Sequence, residues 1–423
     1  MNAYEEAERG LRAAPPHGLL DAIRGVLTRH YRAGSVELLM ADYSLTVLLP
    51  VSALPPATER LAEPLAEPLS IDNSPQGRVF GAQEPAREEH GEATVVHLPV
   101  TVRGDRLGVL TVTLPTDACS PAIPAELADI AEMLAHAVTV AERDTDLYRR
   151  ARRKDRLTLA AEMQWELLPG RACSRDEYAI GAQLEPAYAV HGDNFDWSGG
   201  ADHLVLTVTN GMGEGIDAAL LSNLTINALR NARRAGIPLA DQAALADQAV
   251  YAQHRGDAYL SVLLLDFELA TGRVQVVDAG SPRLLLLREG TVTPIDFDAQ
   301  LPLGMFEETD YTAQEFHVRP GDRLVFVSDG VHAVASPAGE AYGERALARS
   351  ISATRLLPPA EMPRAVLREL TGHRGRPVPD DDALVVCLDW YGRPIAPDRL
   401  PSGDPERHHT HSAAFPAPPH APR

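Results

Sequence analysis

Apolar residues in the first third of the chain alternate between helical spacing and strand-like runs. A helix is predicted over residues 17–33, where apolar side chains recur at helical spacing: Leu19, Leu20, Ile23, Val26, Leu27 and Tyr31. The apolar runs 35–40 and 45–51 flank a polar break, which predicts a hairpin. A second hairpin is predicted over 94–102 and 107–114, because Gly104 permits a tight turn between them.

The segments between and after these hairpins follow different patterns. Residues 52–92 contain several prolines and many charges, so we expect a loop with little regular structure. From Ala125 to Leu168 there is neither Gly nor Pro, and the apolar residues keep a helical period, which predicts one long helix or two in series. After Gly170, short strands alternate with turns around a helix at about Asp217–Ala235, which indicates an α+β arrangement.

Length and composition narrow the class of protein. A chain of 423 residues is longer than one core usually serves, so we expect two domains. The net charge of −20 argues against non-specific binding to nucleic acid or anionic lipid. The three cysteines form no CxxC pair, and we find no signal peptide and no uninterrupted run of about 18 apolar residues. We therefore expect a cytoplasmic protein that does not interact with membranes.

The last part of the chain, residues 392–423, is rich in Pro and His and has few aliphatic residues. Such a segment cannot bury enough surface to offset its ordering entropy, so we predict a disordered tail. His408, His409 and His411 could chelate a transition metal, but without a rigid scaffold a selective site is not expected.

The order of elements over residues 15–145 resembles a GAF-type sensory domain. It consists of a helix, strands, a long loop, a strand pair and a closing helix. The resemblance implies either a sensor with a small-molecule ligand or a structural domain that forms dimers without one. We expect a homodimer. Residues 1–14 form an N-terminal extension, and residues 146–175 form a helical linker to the next domain.

Aspartates stand beside short apolar strands at three places in the second half. Asp193 lies in VHGDNFD, Asp329 lies in VFVSDGV, and Asp380 begins the acidic run of VPDDDALVVCL. The nearby runs 205–208, 324–327 and 384–388 are almost wholly apolar, as in strands buried on both faces. A single Asp before Gly is usually a turn residue, and an acidic run is usually a solvated loop. Carboxylates at several strand ends, however, could converge on one point.

A series of segments in residues 160–391 resembles the metal-dependent protein phosphatases of the PPM, or protein phosphatase 2C, type, in their SpoIIE-like bacterial branch. AAEMQWELLPG resembles the segment before the catalytic domain, and VHGDNFDW and TNGMGEGIDAALLSN resemble two of its metal-binding segments. PGDRLVFVSDGV, GEAYG and DDDALVVCL follow in the expected order. The resemblance implies, over 176–391, a β-sandwich of two antiparallel sheets flanked by helices, with a dinuclear Mg²⁺ or Mn²⁺ site at one end.

The resemblance also assigns roles to individual positions. Asp193, the backbone carbonyl of Gly211, Asp329 and Asp380 would bind the metals, with Asp381 as the alternative to Asp380. Asp196 would order a metal-bound water or act behind the ligands. Hard divalent cations prefer such anionic oxygens, and two of them would activate a shared water for attack on a phosphoryl group.

Four positions depart from the family pattern. Asn210 stands where the family has the aspartate that bridges both metals, and an amide oxygen has no net charge to attract them. Glu214 stands at a common His, Ser281 replaces the His of an Asn-Ala-Gly-His segment, and Ala383 stands at a usual Thr. We interpret Glu214 as a first-turn residue that favours the helix dipole, with a ligand role as the alternative.

Two functions from different classes follow. The first is a serine/threonine phosphatase that acts on a phosphoprotein of bacterial signalling, such as an anti-sigma-factor antagonist, with Asp193, Asn210, Asp329 and Asp380 in the catalytic centre. The second is a pseudophosphatase that binds a partner, because of Asn210. A third hypothesis makes the N-terminal domain a sensor that acts on the phosphatase domain through the helical linker.

Overall fold

The structure, a computed structural model, describes residues 2–51, 67–154, 157–187, 190–280, 282–376 and 379–393, apart from the side chain of Glu344. Ser281 lies outside the described residues, as does the predicted tail beyond Arg393 with its three histidines. Within the described ranges, no helix combines the length and the apolar character needed to cross a bilayer.

The N-terminal part is an antiparallel sheet between helices. Its helices are α1 (Ala3–Ala13), α2 (Leu19–Tyr31), α3 (Pro75–Ala82) and α4 (Ile123–Ala141), and its strands are β1 (Ser35–Ala41), β2 (Val47–Pro50), β3 (Leu69–Ser70), β4 (Ala86–His90), β5 (Ala93–Val102) and β6 (Asp105–Pro115). The strand order is β3-β2-β1-β6-β5-β4. Both predicted hairpins are confirmed, as β1–β2 and β5–β6. Helices α1, α2 and α4 share one apolar core with the sheet, and α3 packs in a separate one.

The prediction of little regular structure over residues 52–92 is wrong for its described part, which forms β3, α3 and β4. Ser74 caps α3 by accepting a hydrogen bond from the Gly77 amide at 3.0 Å, and Pro75 occupies the first turn, where proline is tolerated. Val79 and Phe80 are then buried against the sheet. Capping and two apolar contacts therefore form a short helix where the prolines and charges suggested a loop.

The prediction of one long helix or two in series over 125–168 is also wrong, because three helices occupy this region. After α4 come α5 (Leu147–Ala151) and α6 (Leu159–Leu167). Charged residues dominate between α4 and α6, so no apolar stripe continues there to hold one helix on the core. Thr158 starts α6 by accepting a hydrogen bond from the Ala161 amide at 3.2 Å.

The second half is a sandwich of two antiparallel sheets, which confirms the α+β prediction. Its strands are β7 (Ala172–Ser174), β8 (Tyr178–Glu185), β9 (Asn194–Gly199), β10 (His203–Asn210), β11 (Ser261–Glu268), β12 (Arg273–Ala279), β13 (Arg283–Arg288), β14 (Thr291–Ile295), β15 (Gln314–His317), β16 (Arg323–Val327) and β17 (Ala383–Trp390). The sheet orders are β15-β12-β11-β10-β9 and β14-β13-β16-β17-β8-β7. Aromatic side chains such as Phe195, Phe267 and Phe326 fill the space between the sheets.

Two pairs of helices cover the outer faces of the sandwich. Helices α7 (Gly215–Arg234) and α8 (Leu239–His254) cover the first sheet, and α10 (Gly343–Ala353) and α11 (Met362–Arg374) cover the second. The short helix α9 (Asp329–His332) follows β16. The helix predicted at Asp217–Ala235 is confirmed as α7. The apolar runs predicted as strands lie in β10, β16 and β17 and are largely buried, as expected for strands covered on both faces.

Helix α6 lies between the N-terminal sheet and the sandwich. The rings of Trp165 and Tyr43 stack at 5.3 Å, and the Arg171 guanidinium lies 5.2 Å from the Trp165 ring. The Gln183 amide donates a hydrogen bond to the Ser44 carbonyl at 3.3 Å. These contacts join the two halves into one compact unit, Met1–Arg393.

Candidate metal and active site

One turn of the sandwich is built around the carboxylate of Asp382. This side chain is fully buried just before β17. It accepts hydrogen bonds from the amides of Ala187, His191 and Gly192 at 2.8 to 2.9 Å, from the Asp193 amide at 3.3 Å, and from Gln164 Nε2 at 2.7 Å. Several N–H donors on one carboxylate fix the described part of the turn before β9. Asp382 therefore positions the segment that ends in Asp193.

The turn after β10 lies directly against this segment. The Gly211 amide donates to Asp193 Oδ1 at 2.9 Å. A Cβ atom at Gly211 would lie 2.0 Å from the His191 carbonyl oxygen, so no other residue fits there without moving the backbone. Asn210 ends β10 immediately before this contact. The close approach of the two turns thus brings Asn210 and Asp193 to the same end of the sandwich.

Asp329 and Asp381 come together at the neighbouring strand ends. Asp329 begins α9, and its Oδ1 accepts a hydrogen bond from the Gly330 amide at 2.9 Å. Gly330 packs against the 381–382 segment so closely that a Cβ atom would lie 1.9 Å from the Asp382 carbonyl oxygen. Asp381 Oδ1 lies 3.6 Å from His191 Nδ1. The side chain of Asp381 therefore lies between the turn that holds Asp193 and the start of α9.

Burial and the repulsion between neighbouring carboxylates raise the pKa of two aspartates at this site. Burial raises the pKa of Asp193 well above its ordinary value, and the charges of Asp382 and Asp381 add to the rise, while the hydrogen bond from the Gly211 amide and the nearby Ser328 hydroxyl oppose it. Burial also raises the pKa of Asp381, and the Asp329 charge adds to that rise. The site thus concentrates negative charge that a cation would stabilise.

Among the buried oxygens that have no hydrogen-bond partner in the described residues, two belong to residues predicted as metal ligands. They are Asp193 Oδ2 and Asn210 Oδ1. Buried polar atoms are normally satisfied, and a hard divalent cation is a partner that takes carboxylate and amide oxygens. No three His, Cys, Asp or Glu side chains in the described part of the chain are close enough to hold an ion. The donors therefore fit a divalent cation in chemical type, and binding would require them to move closer together.

The three consecutive aspartates before β17 have three different environments. The side chain of Asp380 is 69% exposed and forms an ion pair with Arg376. Asp381 lies near Asp329, and Asp382 is buried in the turn that it organises. The structure thus brings Asp381, and not Asp380, to the other site residues. The sequence analysis missed the role of Asp382, although its place directly before a buried strand was a signal for burial.

The sequence predicted that Asp196 orders a metal-bound water or acts behind the ligands, but the structure places this side chain in ion pairs with α7. It is buried, and its two carboxylate oxygens pair with Arg230 and Arg233 on α7, each at 2.8 Å. These ion pairs fix α7 on β9. Glu214 is exposed at the N-cap position of α7 and makes no capping hydrogen bond, and Ala383 is buried at the start of β17.

Part of the chain that forms this site matches a known protein family. Residues 200–391 match the family model described as Stage II sporulation protein E (SpoIIE). This part of the chain is similar to the SpoIIE family. The match covers a little under half of the chain and leaves the N-terminal sheet outside it.

Two curated proteins are similar to the chain over parts of their length. Protein IcfG of Synechocystis sp. is 20% identical over 255 residues, which are 54% of this chain and 40% of that protein. Phosphoserine phosphatase RsbU of Bacillus subtilis is 23% identical over 179 residues, which are 42% of this chain and 53% of that protein. The chain thus spans about half the length of the curated relatives it matches.

Among solved structures, the PP2C phosphatase domain of SpoIIE from Bacillus subtilis, with a fragment of its regulatory domain, is 21% identical, with a TM-score of 0.46 over 51% of this chain and 64% of that one. The SiaA-PP2C domain of Pseudomonas aeruginosa is 20% identical, with a TM-score of 0.47 over 55% of this chain and 94% of that one.

Proposed function

We propose that the SpoIIE-type domain is a metal-dependent protein serine/threonine phosphatase of bacterial signalling, which removes phosphate from a phosphoserine or phosphothreonine of a regulatory partner. The observation that carries this proposal is the gathering of Asp193, Asp329 and Asp381 at one end of the sandwich, with an unpartnered oxygen on Asp193. The family match and the relative named as a phosphoserine phosphatase support it.

Cations are needed because this cluster by itself repels a phosphate. Three carboxylates at one place would disfavour a dianionic ligand, so a phosphoryl group can approach only when they are neutralised. When bound, Mg²⁺ or Mn²⁺ would supply Lewis acidity toward a phosphate oxygen and toward a water. Asp193, Asn210, Asp329 and Asp381, with the Gly211 carbonyl, would hold the ions. Asp382 would keep Asp193 in place.

Asn210 supports a second candidate function, that of a pseudophosphatase which binds a regulatory partner without hydrolysis. Its Oδ1 atom is buried and unpartnered in the described structure, so it is free to accept a cation, but it has no charge to offset two of them. A protein that did not hold the second ion would still bind the regulatory partner but would not hydrolyse its phosphate.

The N-terminal part would supply the regulation. We propose that residues 15–145 form a GAF-like sensory or dimerising domain, joined by the segment 146–175 to the phosphatase domain at 176–391. The stacking of Tyr43 on Trp165 next to Gln164, which donates to the Asp193 carbonyl at 2.9 Å, supports a coupling between the two domains. An anti-sigma-factor antagonist is the class of phosphoprotein partner that we propose.

The test compares the wild-type protein with Asn210→Asp in millimolar Mn²⁺, with an aryl phosphate as substrate. We expect slow turnover by the wild type and about tenfold faster turnover by Asn210→Asp, because the added charge stabilises a second cation. Asn227→Asp, an exposed change on α7, is the matched control and should leave the rate unchanged.

Manganese binding is measured in parallel by calorimetry. Binding without turnover in either form would favour the pseudophosphatase. The phosphatase proposal fails if neither form hydrolyses the substrate and neither binds Mn²⁺.

A further inference from the structure

A groove of about 1320 Å³ opens beside α9, on the side of the second sheet. The segment 340–343 and helix α10 form one wall, and α11 contributes from the other. Its positive charge comes from three arginines, Arg283, Arg345 and Arg349. His332 and His373 also line the groove, and burial lowers the pKa of His332. Glu340 is the one carboxylate in the lining among the side chains that the structure describes. The groove is therefore a basic region on a chain with a net charge of −20.

The groove begins next to the candidate site. Helix α9 runs from Asp329 to His332, so the groove residue His332 is about one helical turn from Asp329. Arg283 begins β13 and pairs with Val327, two residues before Asp329. A ligand whose phosphate reached the site could therefore extend directly along the groove.

The arginines of the groove are exposed and unpaired within the described ranges, whereas several other arginines of the sandwich are buried or half-buried in ion pairs. Arg230, Arg233 and Arg323 pair with Asp196 or Asp389. Arg345 and Arg349 are exposed on the same face of α10, one turn apart, and Arg283 is exposed at the strand end. Within the described ranges, none of these three forms an ion pair with a carboxylate. Their guanidinium groups remain available to an external anion.

The junction of α11 with the segment 340–343 is held in a fixed shape. His373 contacts the buried Tyr342 edge to face, with the ring centroids 5.1 Å apart. The Nε2 atom of His373 hydrogen-bonds with the Glu340 carbonyl at 2.9 Å. A preformed wall lowers the cost of ordering that binding would otherwise impose.

We propose that this groove binds an acidic segment of the phosphoprotein partner, beside the phosphorylated residue at the candidate site. The identity of the partner as a phosphoprotein rests on the proposed function, whereas the recognition of acidic chain rests on the groove itself. Guanidinium groups bind carboxylates in a bidentate manner, and the volume accommodates several residues of extended polypeptide. On a strongly negative protein, such a basic groove also directs an acidic partner to one place.

The experiment measures binding of a short fluorescent Glu/Asp-rich peptide without phosphate, by fluorescence anisotropy in low salt. We expect the wild type to bind it, and the double variant Arg345→Glu/Arg349→Glu to bind about tenfold or more weakly, because attraction becomes repulsion. Arg355→Glu is the matched control, since Arg355 is exposed just beyond the end of α10, outside the groove lining. Circular dichroism checks that all three proteins are folded.

A peptide of the same length with Gln and Asn in place of Glu and Asp should bind much more weakly. The proposal is overturned if the wild type does not distinguish the two peptides, or if the double variant and Arg355→Glu bind the acidic peptide equally well. Because the peptide contains no phosphate, acidic-peptide binding by a protein that hydrolyses nothing would support the groove while the proposed phosphatase function failed.

Discussion

The turn before β9 and the turn before β17 each bury an aspartate, in opposite environments. Asp382 accepts hydrogen bonds from four backbone amides and from Gln164. Asp193 accepts one backbone hydrogen bond on Oδ1, and its Oδ2 has no hydrogen-bond partner in the described structure. Both carboxylates are excluded from water, and burial together with nearby like charges raises the pKa of Asp193 well above its ordinary value.

The difference separates a carboxylate that holds the fold from one that is kept for a ligand. A fully hydrogen-bonded buried carboxylate stabilises the segments that donate to it. A buried carboxylate with a free oxygen and like charges nearby destabilises the protein until a cation arrives. The following predictions test this contrast.

The largest effect is expected for Asp382→Ala, which leaves buried amides without their acceptor. We expect a loss of about 4 kcal/mol in the free energy of unfolding, or a protein that does not fold. Urea unfolding measures it. Asp380→Ala is the control, because the exposed Asp380 pairs only with Arg376 at the surface, and its loss should cost less than about 0.5 kcal/mol. Equal losses of unfolding free energy in the two variants would show that Asp382 does not hold the fold.

The second-largest effect is expected on phosphatase activity, when Asp381 and its neighbour Asp380 are replaced one at a time. Asp381→Asn should lower the Mn²⁺-dependent hydrolysis of an aryl phosphate by about 100-fold, because it removes a charge that would hold a cation beside Asp329. Asp380→Asn should stay within about twofold of the wild type, since its side chain points to solvent. The reverse pattern would show that Asp380 is the ligand and that this segment rearranges on metal binding.

The smallest effect is expected for Asp193→Asn, as a gain in the free energy of unfolding. The pKa of Asp193 in the folded protein lies above its ordinary value of 3.8, so stability present at low pH is lost as the pH rises through the folded-state pKa. Without metal at neutral pH, Asp193→Asn should therefore stabilise the protein by about 1–2 kcal/mol.

Thermal unfolding in a chelator measures this gain. Added Mn²⁺ should raise the melting temperature of the wild type but not that of Asp193→Asn. A variant less stable than the wild type in the chelator would mean that the charge of Asp193 contributes to the fold.

Much of the fold was predictable because its signals are local. Periodic apolar residues predicted α2 and α7, and Val- and Leu-rich runs around a turn predicted both N-terminal hairpins. The predictions failed where a cap or a break decided the element. Ser74 starts a helix that composition did not indicate. The charged stretch after α4 interrupts the helical region that the absence of Gly and Pro had suggested, and Thr158 starts a separate helix after it.

For the candidate site, too, the sequence predicted some residues, whereas contacts between distant parts of the chain decided the role of others. The resemblance to the phosphatase family predicted Asp193, Asn210 and Asp329 as site residues, and the structure places them next to the ends of strands in the sandwich. Asp196 could not be placed, since its partners Arg230 and Arg233 are more than thirty residues away in sequence. The carboxylate alone did not reveal that two guanidinium groups neutralise it.

The sequence by itself indicated the resemblance of the second domain to the SpoIIE-like phosphatases, its short strands and the aspartates beside them, because strand patterns and motif order are local properties of the chain. The tertiary structure alone decided which of Asp380, Asp381 and Asp382 faces solvent, the site or the core. The hydrogen bonds to Asp382 and the packing of Gly330 against this segment fix these three side chains in different directions, with Asp381 near Asp329.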